Sequence, residues 1–317
     1  NKNVIFTNND SAYETAISLN KKGVNVTIVD IRDNSSSILV KNAKDAGIKI
    51  YWNHTVVDTK GYRRVNSIQI MEMSEDGTNV IGSKIKLVCD NLSISGGWTP
   101  MVHLFTQSGG KLKFRDSDQV FLPNTAISDQ ISIGSCNGDF ELDDIIKNTI
   151  SDCKNFLSSS TTDFDLIKVS CPKQKENKNI WLLPNDKPLG KTKPFLDFQN
   201  DSTAKDIKLA MREGFRSIEH VKRYTTTGMG TDQGKLANMH ALGIISETAG
   251  VKMGSLGTTT FRPPYTPLTF GTIVGRNVGT FFDITRKTPM HTWHENHKAK
   301  FENVGQWKRA WYYPKGN

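Results

Sequence analysis

The chain has 317 residues, 36% of them hydrophobic and 23% charged, which is enough to form cores in about two globular units. No apolar run approaches the roughly 20 residues that cross a bilayer, and the first residues lack a signal-peptide pattern, so the sequence predicts neither a membrane protein nor an exported one. A formal net charge of +9 suits anionic cofactors, and without the aromatic and basic pattern of RNA-binding modules we expect no nucleic-acid partner.

Cysteine usage indicates the compartment. The four cysteines, Cys89, Cys136, Cys153 and Cys171, stand far apart without a C-x-x-C pair. This spacing argues against a disulfide framework and a zinc ribbon, and it predicts a cytoplasmic protein. The chain opens in a strand without an initiator methionine and stops just after an aromatic cluster, so we expect a segment of a longer polypeptide.

The first 92 residues have the pattern of an α/β, Rossmann-like unit. An apolar strand at 3–7 is followed by a helical pattern over 11–22, and a second strand ends at Asp30. A helix that stops at Gly47 and several alternating strands follow, with a turn at 75–77. Strands that alternate with helices predict a parallel sheet.

The turn after the first strand departs from the dinucleotide fingerprint. Residues 7–12 read TNNDSA, so all three glycines of G-x-G-x-x-G are missing, and Asp10 places a negative charge where a phosphate would lie. Asp30 has the spacing to bind a ribose hydroxyl, although an acid is common at the end of such a strand. The alternative is a Rossmann unit retained for packing.

A second strand, loop and helix pattern follows at 126–157. The stretch ISIG predicts a strand that enters the loop SCNGDF and then a long helix, an arrangement suited to an anion. It resembles the closing segment of the first dinucleotide domain in disulfide-reductase-type flavoproteins. That resemblance implies that a nucleotide, whose main glycine loop lies upstream of residue 1, is faced by Gly134, Ser135, Cys136, Asn137 and Gly138. Because residues 7–12 lack the glycines and Asp10 would repel a pyrophosphate, we expect NAD to contact this loop rather than residues 7–12. Cys136 is otherwise a small loop residue without thiol chemistry.

Residues 158–192 are polar and rich in lysine, and they predict a linker with an apolar anchor at 180–184. Helices follow. Ser202 or Thr203 caps the first, with Asp206 as the capping-box acid for Thr203, and Gly214 ends it. A second short helix is predicted near 217–224, and a third from about Asp232 to about 249.

This helical region resembles the small [2Fe-2S] domain of the bacterioferritin-associated-ferredoxin type, with TGMG at its turn. The resemblance places the four cluster ligands at Asp197, Gln199, Asp232 and Ala237. Iron–sulfur clusters need thiolate ligands, so we expect a cluster-less domain, no metal, and neither iron nor labile sulfide in the purified chain.

The segment KRYTTTGMG combines cations, hydroxyl groups and glycines beside a helix end, which suits a phosphate or the edge of a flavin. The alternative is a solvated helix face with an ordinary glycine stop. The predicted contacts are Lys222, Arg223, Thr225, Thr226, Thr227 and Gly228, with Arg262 of FRPPY as a further cation.

Longer strings carry a wider resemblance. FTNNDSAYETA, SISGGWTPMVHLFTQSGGKLKF and REGFRSIEHVKRYTTTGM resemble the α subunit of heterotetrameric sarcosine oxidases over nearly the whole chain. TPMHTWHENHKAKF resembles the start of a folate-binding aminomethyltransferase domain of the glycine-cleavage T-protein type. The predicted divisions are a Rossmann-like NAD-type domain at 1–92, a return segment at 93–157, a linker at 158–192, the ferredoxin-like domain at 193–270 and the aminomethyltransferase start at 271–317.

The resemblance implies a subunit of an oxidoreductase that demethylates sarcosine to glycine and is not active alone. FAD on a β subunit takes the hydride, FMN lies between the α and β subunits, and γ and δ subunits complete the complex. NAD binds the α subunit, and the one-carbon unit passes to tetrahydrofolate or leaves as formaldehyde. Two alternatives stay open: a non-catalytic nucleotide-binding scaffold, and the α subunit of a related amine or proline dehydrogenase. No catalytic residue is assigned.

Overall fold

A computed structural model describes residues 1–157, 169–171, 177–276, 278–279 and 283–315. The chain divides into two compact units, Asn1–Tyr265 and Thr266–Asn317. The finer five-part division stays a prediction, and part of the predicted linker at 158–192 lies outside the described residues. Among the described residues, no helix has both the length and the apolar character needed to cross a membrane.

The first part of the larger unit alternates strands and helices as the sequence predicts. Its elements are β1 (Lys2–Thr7), α1 (Ser11–Lys21), β2 (Asn25–Asp30), α2 (Ile38–Asp45), β3 (Lys49–Trp52), β4 (His54–Gly61), β5 (Val65–Met73), β6 (Val80–Val88) and β7 (Asn91–Ser95). Parallel strands form one sheet in the order β3-β2-β1-β7, and β4-β5-β6 form a separate antiparallel sheet. The Rossmann-like arrangement is confirmed.

The parallel sheet is covered on both faces at its centre, which explains why the consecutive residues Val4, Ile5 and Phe6 of β1 are all apolar and buried. Successive side chains of a strand point to opposite faces. Ile5 therefore packs with Tyr13 of α1, whereas Val4 and Phe6 pack with Ile68 of β5. The result is three layers, with α1 and α2 on one side of the sheet and β4-β5-β6 on the other.

A hairpin and a long helix continue the larger unit. Its elements are α3 (His103–Gln107), β8 (Lys111–Arg115), β9 (Val120–Thr125), a 3-10 helix (Gly134–Asn137) and α4 (Leu142–Phe156). The long helix is confirmed. The strand predicted at 131–134 is wrong, because these residues belong to no strand and Gly134 begins the 3-10 helix with a φ of +68°.

The remainder of the larger unit is mainly helical. It contains a 3-10 helix (Leu189–Lys191), β10 (Phe195–Asp197), β11 (Ser202–Thr203), α5 (Ala204–Arg212), α6 (Ile218–Thr225), α7 (Asn238–Ala249) and α8 (Met253–Leu256). The capping box is confirmed, because the Thr203 amide donates to Asp206 Oδ2 at 2.8 Å. The third helix begins at Asn238 rather than near Asp232. Positive φ values at Gln233 and Gly234 explain the delay, since a right-handed helix excludes them.

The predicted apolar anchor at 180–184 is confirmed, and it reaches two cores. Trp181 and Leu182 pack against the helical core, the cluster built around Ile207, Leu242, Ile244 and Ile245. Ile180 and Leu183 pack instead against the core between the two sheets.

The smaller unit contains α9 (Phe270–Val274), β12 (Arg286–Lys287), α10 (His291–Asn296), β13 (Lys300–Val304) and β14 (Trp307–Tyr312). Its strands form a sheet in the order β12-β14-β13, in which β13 and β14 are antiparallel. The assignment of this region to the start of a folate-binding domain stays a prediction.

Candidate functional site

The turn at the end of α6 orders the predicted phosphate-binding loop. The helix ends at Thr225 because Thr226 has a φ of +59°. Thr225 Oγ1 lies 2.8 Å from the Val221 carbonyl oxygen and 2.9 Å from Thr227 Oγ1, and the Gly228 amide donates to Asp197 Oδ2 at 2.7 Å.

These contacts change what the loop offers to a ligand. Thr225, Thr227 and Gly228 are buried, and the Thr226 hydroxyl donates to the Thr225 carbonyl at 2.6 Å. A phosphate would have to displace a protein partner from each of these donors. Their role as cofactor contacts stays a prediction. The neighbouring cations are the better candidates for binding a phosphate.

Lys222, Arg223 and Arg262, here called the cation cluster, are electrostatically coupled. Burial lowers the pKa of Lys222, the positive charges of Arg262 and Arg223 lower it further, and the carboxylate of Glu219 opposes the shift. Arg223 and Arg262 are exposed, whereas Lys222 is half-buried. Three cations that share one nearby carboxylate create a positive potential in which an anion is stabilised.

Arg262 reaches this cluster because the preceding residues are fixed from several sides. Lys222 Nζ donates to the Thr260 carbonyl at 3.3 Å, and the Thr260 amide donates to Glu219 Oε1 at 2.6 Å. Asn238 Nδ2 of α7 donates to Thr259 Oγ1 at 3.1 Å. Lys222 and the chain just before Arg262 are therefore fixed before any ligand binds, which lowers the entropic cost of binding at this position.

The loops that carry the four predicted cluster-ligand positions do meet in the fold, and hydrogen bonds join them. Asp197 is 3% exposed, and its carboxylate accepts from the amides of Gly228, Gln199 and Asn200 at 2.7, 2.9 and 3.1 Å. Gln199 Oε1 accepts from the Asp232 amide at 3.3 Å. Burial acts to raise the pKa of Asp197, but the hydrogen bonds from Gly228, Asn200 and Gln199 outweigh it and lower that pKa.

A carboxylate therefore joins these loops at a position where the resemblance places a thiolate. Ala237, the fourth position, is buried and offers no ligand atom. Among the described residues, no group of three or more His, Cys, Asp or Glu side chains is placed to hold a metal ion. The expected absence of iron and labile sulfide stays a prediction.

His103, which the sequence analysis does not identify, packs against the residue that precedes Arg262 of the cation cluster. Its ring is 5% exposed and packs at a tilt against the ring of Phe261, with ring centroids 3.8 Å apart, one residue before Arg262. Within the part of the chain that the structure describes, neither ring nitrogen has a hydrogen-bond partner. Burial, assisted by the positive charge of Lys235 and opposed by Asp232, lowers the pKa of His103 to about 4.

Acid should therefore destabilise the fold through His103. The imidazole is neutral in the folded chain down to about pH 4, whereas the ordinary value for an unfolded histidine is about 6.5. The unfolded chain takes up the proton first as pH falls, so this part of the free energy of unfolding is lost between about pH 6.5 and 4. We expect a loss of about 2 kcal/mol between pH 7.5 and 5.

Urea unfolding of the wild type and of His103→Phe at both pH values measures this effect. The phenylalanine variant retains an aromatic ring against Phe261 but has no proton to bind, so its stability should fall about 2 kcal/mol less over the same interval. An identical pH dependence in the two proteins would contradict the assignment.

Asp30 is engaged inside the Rossmann-like sheet. Its Oδ2 accepts from the Tyr13 hydroxyl at 2.8 Å and pairs with Arg32 Nη2 at 2.8 Å, and the carboxylate is fully buried. Burial, and then the charge of Asp30, raise the pKa of Tyr13, so its hydroxyl remains a donor. A ribose would have to displace these partners, and a ribose-binding role for Asp30 stays a prediction.

Asp10 is also paired, which the sequence did not indicate. Its Oδ1 lies 2.9 Å from Arg32 Nη1 and accepts from the Ser35 hydroxyl at 3.1 Å. Burial opposes the charge on Arg32, but the two carboxylates outweigh it and raise the guanidinium pKa. Arg32 therefore pairs with both acids that the sequence placed beside a nucleotide.

The second predicted nucleotide contact, residues 134–138, packs beside the β8-β9 hairpin. Arg115 Nη2 donates to the Gly138 carbonyl at 3.1 Å, and Cys136 Sγ donates to the Ile133 carbonyl at 3.0 Å. Asn137 lines an open cavity of about 460 Å³ together with Phe105 and Phe156.

The helix end beside this loop carries acids rather than cations. Asp143 and Asp144 lie in the first turn of α4, and Glu141 is its N-cap residue. Carboxylates at a helix N-terminus stabilise the helix dipole as a bound anion would, and they would repel a pyrophosphate placed there. NAD contact through Gly134, Ser135, Cys136, Asn137 and Gly138 stays a prediction.

Comparisons with known proteins extend these observations. Residues 191–276 match the Sarcosine oxidase A3 domain family, and residues 9–77 match the Pyridine nucleotide-disulphide oxidoreductase family. The chain is 35% identical to sarcosine oxidase subunit alpha of Corynebacterium sp. (strain P-1), over 98% of this chain and 33% of that protein. It is 33% identical to sarcosine oxidase subunit alpha of Rhizobium meliloti (strain 1021), over 98% of this chain and 30% of that protein.

The chain thus spans about a third of the length of these relatives, and it is homologous to that part of sarcosine oxidase α subunits. The predicted resemblance is confirmed. Among solved structures, L-proline dehydrogenase from P. horikoshii is similar with a TM-score of 0.50 and 17% identity, over 85% of this chain and 49% of that one. This likeness shows the fold alone.

Proposed function

We propose that this chain is part of the α subunit of a sarcosine-oxidising complex and that its cation cluster holds the phosphate of a flavin. The cation cluster carries the proposal: Lys222, Arg223 and Arg262 are brought together from α6 and the segment after α8, with the electrostatic coupling described above. The similarity to sarcosine oxidase α subunits supports the proposed reaction class, the oxidation of sarcosine.

The proposed flavin is FMN at a contact with a β subunit. The cations fit its phosphate, because charge-assisted hydrogen bonds from arginine and lysine are among the strongest in proteins. When bound, FMN would supply one- and two-electron redox chemistry. The contribution of this chain is to bind and orient the phosphate, since no side-chain constellation for amine oxidation is assigned in it.

The remaining parts of the proposal concern groups outside the cation cluster. FAD on the β subunit would take the hydride from sarcosine, and γ and δ subunits would complete a cytoplasmic complex. The one-carbon unit would pass to tetrahydrofolate at a domain that begins in the smaller unit, or leave as formaldehyde. NAD would bind the larger unit on the side of residues 134–138.

Removing a cluster cation should release FMN. In the reconstituted complex, we expect Lys222→Ala, Arg223→Ala and Arg262→Ala each to weaken FMN binding about 10- to 100-fold, the loss of one charge-assisted bond to a partly buried phosphate. Retained FMN is measured by flavin absorbance after gel filtration. Lys41→Ala, at an exposed position of α2, is the matched control and should retain FMN fully. Unchanged FMN content in all three cluster variants would refute the proposed site.

A scaffold without a redox role is the second candidate, favoured by the burial of the carboxylates in the Rossmann-like sheet. Both candidates predict that the chain alone does not oxidise sarcosine, as measured by dye reduction with added FAD and FMN. They differ in the complex. A scaffold would leave sarcosine turnover unchanged in Arg223→Ala, whereas a flavin-phosphate site would lower turnover together with FMN content.

A further inference from the structure

The parallel sheet has one position where a ligand is expected. In open α/β sheets, ligands bind outside the carboxyl ends of the strands, at the point where the strand order reverses. In the order β3-β2-β1-β7, the strands that follow β1 in the chain, β2 and then β3, lie on one side of β1, whereas β7 lies on its other side. The strand order therefore reverses between β1 and β7. The crevice at the carboxyl ends of β1 and β7 is therefore the nucleotide position of this sheet.

The floor of this crevice is buried. Asn8, Asn9 and Asp10, which follow β1, are 8%, 0% and 0% exposed. Asn9 Nδ2 donates to the Ser95 carbonyl at the end of β7 at 3.2 Å, and Trp98 Nε1 donates to the Ser11 hydroxyl at 3.1 Å. Groups that would face a nucleotide are thus bonded to one another across the crevice.

A peptide of the same chain covers this floor. We call residues 177–183 the strap. Asn8 Nδ2 donates to the Lys178 carbonyl at 3.2 Å, and Lys178 Nζ lies 3.5 Å from Asp33 Oδ1, beyond the end of β2. A Cβ atom at Gly97, after β7, would lie 3.6 Å from Asn8 Oδ1 and 3.7 Å from Asn177 Nδ2.

Beyond the crevice, the strap is anchored on both of its sides. Ile180 and Leu183 pack into the core between the sheets, whereas Trp181 and Leu182 pack against the helical core. Trp181 lies directly on Gly243 of α7, where a Cβ atom would be 2.1 Å from Trp181 Cγ. The part of the strap that covers the crevice is therefore followed directly by residues that pack against two hydrophobic cores.

We propose that the strap occupies the nucleotide crevice of the Rossmann-like sheet in place of a dinucleotide, so that this sheet serves as a docking seat for the strap and ties it to the helical core. The ionic groups agree with this role, because Asp10 and Asp30 are already paired with Arg32 inside the protein. The peptide carbonyl of Lys178, a neutral acceptor, satisfies Asn8 without bringing a phosphate charge. This inference does not depend on the flavin-phosphate site.

Hydrogen exchange measured by mass spectrometry tests the proposal in the full chain. In the wild type, the amides of residues 7–13 should exchange at the same rate with and without 1 mM NAD. In the double variant Asn8→Ala, Lys178→Met, which retains Ile180 and Trp181, exchange in 7–13 should be about tenfold faster. Lys187→Met is the matched control, since Lys187 pairs with Asp58 at 3.0 Å, away from the crevice, and should leave 7–13 unchanged.

Two results would overturn the proposal. One is slower exchange of residues 7–13 in the wild type when NAD is added, which would mean that a dinucleotide displaces the strap. The other is unchanged exchange in the double variant, which would mean that the strap does not protect the crevice. The wild-type comparison decides the matter even if the double variant folds poorly.

Discussion

Replacing Arg32 with methionine is expected to lower the free energy of unfolding by about 3–5 kcal/mol, the largest effect of any substitution considered for this chain. The guanidinium is buried and lies 2.9 Å from Asp10 and 2.8 Å from Asp30, and both carboxylates are fully buried. Methionine fills similar space but leaves two buried carboxylates without their cation. Urea unfolding at pH 7.5, followed by circular dichroism, measures the loss.

Two further variants test whether the loss of stability in Arg32→Met comes from the buried ion pairs. Arg63→Met removes an arginine at an exposed position, so it should change stability by less than about 0.5 kcal/mol. Arg32→Lys retains one charge but loses the planar fork that reaches both acids, and it should lie between the wild type and Arg32→Met. Equal stability of Arg32→Met and Arg63→Met would show that the buried ion pairs contribute nothing net.

Asp197→Ala is expected to lower the free energy of unfolding by about 3 kcal/mol and to separate the loops that it joins. The carboxylate accepts from three backbone amides, and the buried Gly228 amide would be left without its partner. An unsatisfied buried donor costs about 1–3 kcal/mol, and charged acceptors add to this. Because hydrogen bonds lower the pKa of Asp197, its contribution should be present at neutral pH and be lost in strong acid.

The same urea titration tests this variant, with Asp116→Ala, an exposed aspartate, as the control. Hydrogen exchange should also rise at residues 226–230 in Asp197→Ala only, because the Gly228 amide loses its acceptor. A loss below about 1 kcal/mol, or uniform exchange along the chain, would show that Asp197 is not what joins these loops.

Local chemistry in the sequence accounts for much of the fold. The capping box of Thr203 and Asp206 and the stop at Gly214 depend on neighbouring residues alone, so they could be predicted. The strands of the Rossmann-like unit follow from a short apolar run in β1 and from alternating patterns in the later strands. The strand predicted at 131–134 is wrong because apolar residues form a strand only where a ladder partner exists, and Ile131 is 41% exposed.

The candidate site was predictable only in part. The sequence identified the cations Lys222, Arg223 and Arg262 by residue type, but their coupling depends on how Thr260 and Phe261 pack. The pairing of Arg32 with Asp10, and the ring contact of His103 with Phe261, join residues distant in sequence. One signal for Arg32 was present: an arginine two residues after an acid that ends a buried strand needs a buried partner.

The contact between Trp181 and Gly243 limits how related sequences can vary. Glycine in the middle of α7 costs about 0.5–1 kcal/mol relative to alanine, yet an alanine at 243 would meet the indole of Trp181. The two positions therefore share one volume, and a larger residue at 243 is compatible only with a smaller one at 181. In related sequences, a larger side chain at position 243 should therefore occur together with a smaller one at position 181. A chain cut between residues 183 and 193 would divide a single packing unit rather than separate two domains.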